Sequence, residues 1–451
     1  MIITKKKHFS TTHIIMLSFL CAIAVGSILL SLPLSSATGK PVPYIDALFT
    51  AVTSTCVTGL VTVTTAEAWS TFGQVIILLL IQTGGLGIIT VMSGIMLMLN
   101  KKFGLKDSVL MQDAFNLNTM AGLSDFVKKV LKGTLIVEGA GALLYMTVFV
   151  PEFGVKGIWI SVFNSVSAFC NAGIDIIGSD SLCSYVKNPV VNFVTCALII
   201  MGGIGYIVWW DVIRVIKKHG KSRPFRFLTL QSKIALTSTA VLIISGAVLI
   251  FIFEYGNSSS VKDFNAFEKI QFAFFQSVTT RTAGFATVPQ ENLTDASALV
   301  CMLLMFIGGS PVGTAGGIKT VTFTVLVITA YSAIRNKNTT EVFSRAISER
   351  TVRKALSVVL MSFGIVVFSS LLLSAVTRAE MLDILYETVS AAATVGLTRN
   401  LTPSLNSIGK IIIMITMYLG RVGPISLAVA FNLRRDNLNT VRCPEEEISV
   451  G

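Results

Sequence analysis

Charged side chains are scarce in this sequence of 451 residues: they make up 13%, whereas hydrophobic residues make up 53%. A soluble domain carries about 25% charged residues, so the composition excludes an ordinary soluble fold. Crossing a bilayer takes about 20 apolar residues, and eight runs come close to or exceed that length. They occupy residues 13–34, 75–99, 131–150, 190–209, 234–253, 298–330, 355–376 and 411–431. The sequence therefore predicts a multi-pass membrane protein.

Histidine and cysteine are also rare, with three and seven residues respectively. The cysteines show no paired spacing, which argues against a disulfide framework or a zinc site. The sequence contains neither GxxxxGK[ST] nor HExxH, the motifs of a phosphate-binding loop and of a zinc protease. We therefore predict that the chain is not an enzyme, has no bound cofactor and hydrolyses no nucleotide itself.

Basic residues concentrate between the apolar runs on one side of the predicted membrane. Positively charged loops stay in the cytoplasm, so both termini are predicted to be cytoplasmic in a cell membrane. This topology accounts for the net charge of +12, and no nucleic-acid partner is needed to explain it. The opposite face has more acidic than basic residues, and acidic vestibules concentrate cations at a pore mouth. Ordinary solvated loops would explain that excess equally well.

An internal repeat gives the strongest indication of function. Four short segments, at residues 45–60, 159–174, 270–285 and 382–397, align with one another, and each lies between two apolar runs. The next-to-last residue of each segment is a Gly, and an aromatic residue lies ten positions before it. The glycines are Gly59, Gly173, Gly284 and Gly396, spaced by 114, 111 and 112 residues. So regular a period predicts four repeated structural units.

These four segments are too short and too polar to cross a bilayer alone. Irregular backbone at membrane depth persists only where it is buried in protein or lines a watery cavity. Each segment therefore predicts a re-entrant hairpin, a half-helix followed by a strand, and Gly lets the strand point its carbonyls at a cation. The predicted ion ligands are the backbone carbonyls of Val57, Thr58, Gly59, Asn171, Ala172, Gly173, Thr282, Ala283, Gly284, Thr394, Val395 and Gly396.

A second Gly-rich pattern follows each hairpin, at residues 84–87, 202–205, 308–311 and 420–423. In the first two runs a hinge and the close packing of small residues are equally good interpretations. The third run extends to residue 317 and includes Pro311, so it cannot continue as a regular helix in lipid. We predict an intramembrane loop at residues 308–317.

Arg421 lies inside an apolar run, where an unpaired guanidinium is costly. The loop at residues 308–317 offers acceptors and Arg421 offers five donors, so we predict that the two meet below the hairpins and close the pore. In the alternative, Arg421 only joins two helices. The predicted gate consists of Gly308, Gly309, Ser310, Gly313, Thr314, Ala315, Gly316, Gly317, Lys319 and Arg421.

The predicted fold is an all-α membrane protein. Four span–pore-loop–span repeats surround one ion pore with pseudo-fourfold symmetry, giving eight transmembrane helices and four re-entrant hairpins. The repeats are expected at residues 11–100, 126–219, 230–335 and 350–434. Cytoplasmic segments are expected at residues 1–10, 101–125, 220–229, 336–349 and 435–451.

The chain resembles the membrane subunit of the Trk/Ktr/HKT family of K⁺ transporters, most of all the bacterial Ktr type. The resemblance lies in VTGL (57–60), NAGI (171–174), RTAGF (281–285), TVGL (394–397), the loop at 308–319 and GRVGP (420–424). In that family, Gly at the position of Gly59 accompanies K⁺ and Ser accompanies Na⁺. The resemblance thus implies K⁺ uptake in a bacterial cell membrane, by a homodimer above a cytosolic ring of nucleotide-binding regulatory subunits.

Two alternatives remain at this point. One is a Na⁺-permeable or Na⁺/K⁺-symporting member of the same family, since only residues 394–396 keep the TVG of K⁺ channels, and activation by Na⁺ is equally open. The other is a broken-helix secondary transporter, which would predict inverted halves rather than four like-oriented repeats.

Two buried charges are also expected. Glu138 is either functional, or hydrogen-bonded to a neighbouring helix or protonated, and Arg281 is expected to support loop carbonyls.

Overall fold

A computed structural model describes residues 11–99, 104, 123–220, 224–337 and 339–423. The predicted cytoplasmic ends at 1–10 and 435–451, and nearly all of the predicted loop at 101–125, lie outside these residues. The end of the fourth repeat, beyond residue 423, lies outside them too.

The described chain is helical, and its helices follow the predicted order of span, pore helix and span. Repeat 1 contains α1 (Thr11–Leu30), α2 (Tyr44–Cys56), α3 (Thr65–Ala68), α4 (Thr71–Leu86) and α5 (Ile88–Met98). Repeat 2 contains α6 (Leu123–Phe153), α7 (Val155–Cys170), α8 (Pro189–Ile204) and α9 (Tyr206–His219), with α10 (Pro224–Phe227) after it.

Repeat 3 contains α11 (Leu230–Glu254), α12 (Ala266–Thr279), α13 (Asp295–Phe306) and α14 (Thr320–Ile334). Repeat 4 contains α15 (Glu349–Val376), α16 (Met381–Ala393) and α17 (Ser407–Val422). Short 3₁₀ turns lie at Pro33–Ser35, Cys183–Tyr185, Gln290–Asn292 and Thr402–Ser404. The predicted all-helical membrane fold with four pore-loop repeats is confirmed.

Within the described residues, four helices are individually long and apolar enough to span a membrane: α1, α6, α11 and α15. Each opens a repeat and packs against the pore helix that follows it, so the polar, Ser- and Thr-rich pore helices are enclosed by apolar spans. The outward faces of the spans carry exposed residues such as Leu135, Leu143 and Leu371, as expected of surfaces that meet lipid.

The second spans of repeats 1 and 2 differ from the continuous helices expected from the apolar runs. Helices α4 and α5 meet at 98°, and α8 and α9 meet at 92°. Each break falls on the last Gly of the Gly-rich run, Gly87 with φ of 83° and Gly205 with φ of 94°. An L-residue rarely adopts this conformation, so the glycines permit the turn.

Close packing explains the first Gly of each of these runs. A Cβ at Gly84, Gly202 or Gly420 would collide with the carbonyl oxygen of Thr55, Phe169 or Ala392 respectively. Those three carbonyls are equivalent, because each belongs to the residue four positions before one of the repeat glycines. Both interpretations of the Gly-rich runs therefore hold, for different residues of the same run.

A small antiparallel hairpin lies in the predicted cytoplasmic loop 336–349. Its strands are β1 (Thr340–Val342) and β2 (Arg345–Ile347), paired with Thr340 opposite Ile347. This hairpin is not predictable from the sequence, because strands of three residues are too short to show an alternation of apolar and polar residues.

Candidate functional site

The pore helices α2, α7, α12 and α16 each lead into a three-residue strand, here called the filter strand, which ends in a repeat glycine. The first residue of every filter strand has a left-handed backbone: φ is 55° at Val57, 59° at Asn171, 68° at Thr282 and 52° at Thr394. The final glycines also have positive φ. Non-Gly residues in this region cost about 1–2 kcal/mol each, and such strain concentrates at functional sites.

The four filter strands surround one axis at backbone contact distance. A Cβ added to Gly59 would lie 2.5 Å from the carbonyl oxygen of Ala172, in the second repeat. The same collision recurs around the ring: Gly173 meets the carbonyl of Ala283, Gly284 that of Val395, and Gly396 that of Thr58. The cycle closes, so the glycines predicted from their spacing come together in one ring.

Hydroxyl groups of the pore helices hold the filter strands from behind. The amide of Gly59 donates to Thr53 Oγ1 at 3.0 Å, and that of Gly396 donates to Ser390 Oγ at 3.0 Å. In repeat 2 the amide of Ile174 donates to Ser167 Oγ at 3.1 Å. Because these amides are bonded to helix hydroxyls, they do not face the axis. These hydroxyl residues were not predicted, although in three repeats a Ser or Thr lies six positions before the repeat glycine.

A cavity of about 340 Å³ opens beyond the glycine end of the filter strands, and all four repeat glycines line it. Asp175, Asp180 and Glu291 also line it, and none of its lining residues, all from the described part of the chain, is basic. Asp175 lies in the loop after the second filter strand, where burial raises its carboxyl pKa to about 6. The excess of acid predicted for the outer face thus lies partly at this mouth.

The loop at residues 308–317, here called the gate loop, lies at the opposite end of the filter strands. Thr314 Oγ1 donates to Asn171 Oδ1 at 3.3 Å, and the amide of Gly316 donates to Thr282 Oγ1 at 3.2 Å. A Cβ at Gly316 would collide with the Thr394 hydroxyl. The gate loop thus contacts the first filter residue of three repeats.

Backbone bonds also attach the gate loop to the break in the second repeat. The amides of Ser310 and Thr314 donate to the carbonyls of Gly203 and Gly202 at 2.8 and 3.1 Å. In return, the amide of Tyr206 donates to the carbonyl of Val312 at 2.9 Å. The amides and carbonyls that the interrupted helix leaves free are thereby satisfied inside the protein, as membrane burial requires.

Arg421 contacts the gate loop directly. Its Nη1 donates to the Thr314 carbonyl at 2.8 Å, and its Nη2 donates to the Gly84 carbonyl of the first repeat at 2.5 Å. Lys319 Nζ donates to the Ala315 carbonyl at 2.6 Å. Two half-buried cations therefore hold the gate loop through its carbonyls. The predicted contact between Arg421 and the loop is present, and the bonds of Arg421 also join repeat 4 to repeats 1 and 3.

The two buried charges that the sequence predicts also have partners. Arg281 donates to the carbonyls of Thr239 and Gly308, each at 3.2 Å, and so makes the expected contact with a loop carbonyl. Glu138 accepts from Gln82 Nε2 at 3.2 Å. This matches the second interpretation of Glu138, a hydrogen bond to a neighbouring helix.

Comparisons with known proteins agree with this geometry. The family model TrkH, described as "Cation transport protein", matches residues 5–441. The chain is 38% identical to the Ktr system potassium uptake protein B of Bacillus subtilis (strain 168), over 100% of this chain and 98% of that protein. It is 37% identical to the potassium/sodium uptake protein NtpJ of Enterococcus hirae, over 99% and 98%.

A solved structure shares the fold. The potassium transporter TrkH from Vibrio parahaemolyticus superposes with a TM-score of 0.76, covering 95% of this chain and 86% of that one. Its sequence identity is 15%, so this likeness supports the architecture alone.

Proposed function

Because this chain belongs to the TrkH family of cation transport proteins, we propose that it is the membrane subunit of a K⁺ uptake system. The closed ring of four filter strands beneath one acidic cavity carries the proposal. Such a ring offers carbonyl oxygens in place of the hydration shell of an ion. The relatives are potassium or potassium/sodium uptake proteins, which supports K⁺ as the cargo.

In the proposed mechanism, acidic residues of the outer cavity first concentrate K⁺. The ion then loses water to the carbonyls of the filter strands, the twelve residues predicted from the repeat. The half-helix carboxyl ends place partial negative charge beside it. The chain has no recognisable nucleotide-binding motif, so K⁺ moves down its electrochemical gradient.

The gate loop and Arg421 form the proposed closed gate. The loop crosses the inner end of the filter strands, and the Arg421 guanidinium adds positive charge on the path of a cation. Movement of α14, which follows the loop, would withdraw it. We propose that a cytosolic ring of nucleotide-binding subunits drives this movement, under a homodimer in which each chain has its own pore.

A Na⁺-conducting or Na⁺/K⁺-symporting activity is the second candidate. Only residues 394–396 keep TVG, and the Enterococcus hirae relative is named a potassium/sodium uptake protein. Flux in proteoliposomes with K⁺ alone, Na⁺ alone and both ions separates the candidates. Growth of a K⁺-uptake-deficient cell on low K⁺, with K⁺ flux that needs no Na⁺, supports the first. Na⁺ flux equal to K⁺ flux would reject it.

The helix hydroxyls behind the filter give a first prediction. Ser390→Ala leaves the amide of Gly396 without its partner, at a cost of about 1–3 kcal/mol. We expect the K⁺/Na⁺ permeability ratio to fall by at least about fivefold, measured as reversal potentials. The control is Ser374→Ala, which removes an exposed hydroxyl that bonds only within its own helix. Equal ratios in the two variants would contradict the supporting role of Ser390.

The outer cavity gives a second prediction, of pH dependence. With a pKa of about 6, Asp175 is ionised at pH 7 and becomes neutral as pH falls below 6. Loss of this charge should reduce K⁺ flux about two- to threefold at low K⁺ and low salt, where surface charge is least screened. Asp175→Asn should show the lower flux throughout and lack this step. An identical pH step in that variant would assign it to another group.

The basic cytoplasmic loops at residues 214–233 and 335–354 give a third prediction. We propose that they bind an acidic or nucleotide-loaded partner, since basic surfaces attract partners of opposite charge. Replacing Lys217, Lys218, Arg345 and Arg350 with Gln should weaken partner binding at least tenfold in a pull-down titration. If correctly inserted protein binds the partner as tightly as before, these basic residues serve only to set the membrane topology.

A further inference from the structure

A small cavity lies between repeats 2 and 3, beside the gate loop. Its volume is about 10 Å³, and apart from Thr239 and Arg281 its lining consists of aliphatic side chains and of Gly203 and Gly309. Both polar residues are 94% buried, and each brings an atom that has no hydrogen-bond partner among the described residues. These atoms are Arg281 Nε and Thr239 Oγ1.

The Thr239 hydroxyl differs from that of Thr237, a nearby threonine in the same helix. Threonine in a helix commonly bonds back to the carbonyl four residues earlier, and Thr237 in the same helix does so, to Lys233 at 2.7 Å. The Thr239 hydroxyl makes no such bond. It is therefore free to bond a molecule held in the cavity.

Arg281 supplies the complementary group. Its two terminal nitrogens donate to the carbonyls of Thr239 and Gly308, while Nε–H has no acceptor. A buried donor without a partner costs about 1–3 kcal/mol. An occupant that accepts from Nε and also bonds a hydroxyl removes this cost for both groups.

We propose that one water molecule binds in this cavity and bridges Arg281 Nε to Thr239 Oγ1. The centre of a single water molecule needs about 10–15 Å³ of free space, and the water needs at least two polar partners. The cavity provides both. A chloride ion would balance the guanidinium charge, but it is larger than water and would have to enlarge the site.

This water would complete a link between α11 and the gate loop. Arg281 already bonds the Thr239 carbonyl on α11 and the carbonyl of Gly308, the first residue of the loop. With Nε also bridged, the guanidinium is fixed in the orientation that holds Gly308. The functional part of this inference rests on the proposed gate: the link would stabilise the closed loop.

Density maps of the full-length protein at a resolution that shows waters test the site itself. The wild type and Thr237→Val should show a peak within hydrogen-bond distance of Arg281 Nε and residue 239, and Thr239→Val should lose it. An empty cavity in the wild type would overturn the proposal. Crystals grown in bromide distinguish water from an anion. An anomalous peak at the site would show that the occupant is a halide, and it would overturn the assignment to water.

Flux without the regulatory partner tests the link to the gate. Thr239→Val should raise K⁺ flux about fivefold, as expected when one hydrogen bond of about 1 kcal/mol is lost. Thr239→Ser, which keeps the hydroxyl, should stay near the wild type, and so should Thr237→Val. If Thr239→Val loses the density peak while its flux is unchanged, the water does not contribute to gating. If the gate proposal is wrong, deletion of residues 313–317 does not raise flux, and this outcome leaves the density result unaffected.

Discussion

Replacing Gly59 with Ser is expected to reduce K⁺/Na⁺ discrimination by about 5- to 150-fold, the range that follows from a strain of about 1–3 kcal/mol in the filter strand. Gly59 has φ of 100°, which an L-residue rarely adopts. A Cβ there would also lie 2.5 Å from the Ala172 carbonyl oxygen and 3.2 Å from Gly173 Cα. Either the first or the second strand must move, and the spacing of the carbonyl ring changes with it.

Reversal potentials in K⁺ and Na⁺ gradients, together with the K⁺ concentration at half-maximal flux, measure this effect. Gly39→Ser is the matched control, because Gly39 also has positive φ, 72°, but has no atom within 4 Å of an added Cβ. It separates strain in a backbone turn from disturbance of the ring. Unchanged Na⁺ permeability and K⁺ affinity in Gly59→Ser would remove the basis for placing the ion at these carbonyls.

The repeat was predictable because four equivalent strands that meet in one ring need a Gly at the same place, and the regular spacing of these glycines is visible in the sequence. The contact between Arg421 and the gate loop was predictable for a different reason. A guanidinium and a run of non-helical backbone are each costly inside a membrane, and each supplies what the other lacks.

The breaks at Gly87 and Gly205 were not predictable from hydropathy. The apolar run continues through both, and composition is the same whether a helix goes on or turns by 90°. The left-handed residues Val57, Asn171, Thr282 and Thr394 were also missed. Neither Val nor Thr favours that conformation, and only the packing of four strands around one axis selects it. Here tertiary contacts override local preference.

Removing residues 313–317 is expected to raise partner-independent K⁺ flux by at least about tenfold, since the bonds lost from Thr314 and Gly316 to the filter strands contribute about 1 kcal/mol each. Ile307 and Ile318 already lie side by side at the base of the loop, so the gap that residues 308–312 must bridge in the shortened chain is small. Stopped-flow or isotope uptake into proteoliposomes, with and without the regulatory partner, measures the change.

Arg421→Ala should act in the same direction, because it removes both the donor to the Thr314 carbonyl and the positive charge below the filter. Arg421→Lys distinguishes these two contributions: it keeps the charge but loses the forked geometry that reaches Thr314 and Gly84 together. If the charge is the barrier, Lys should stay close to the wild type; if the bonds are, Lys should resemble Ala. In either case flux must rise in Arg421→Ala.

The double variant decides between a gate and a simple join of two helices. If Arg421 closes the pore through the gate loop, adding Arg421→Ala to the loop deletion should raise flux by much less than the product of the two single effects, because contacting groups are not additive. If Arg421 only joins repeats 1 and 4 through Gly84, Arg421→Ala should lower the melting temperature while flux stays at the level of the parent. Folded, correctly inserted variants that conduct no faster than the parent would make the loop a structural element and place the gate elsewhere in the chain.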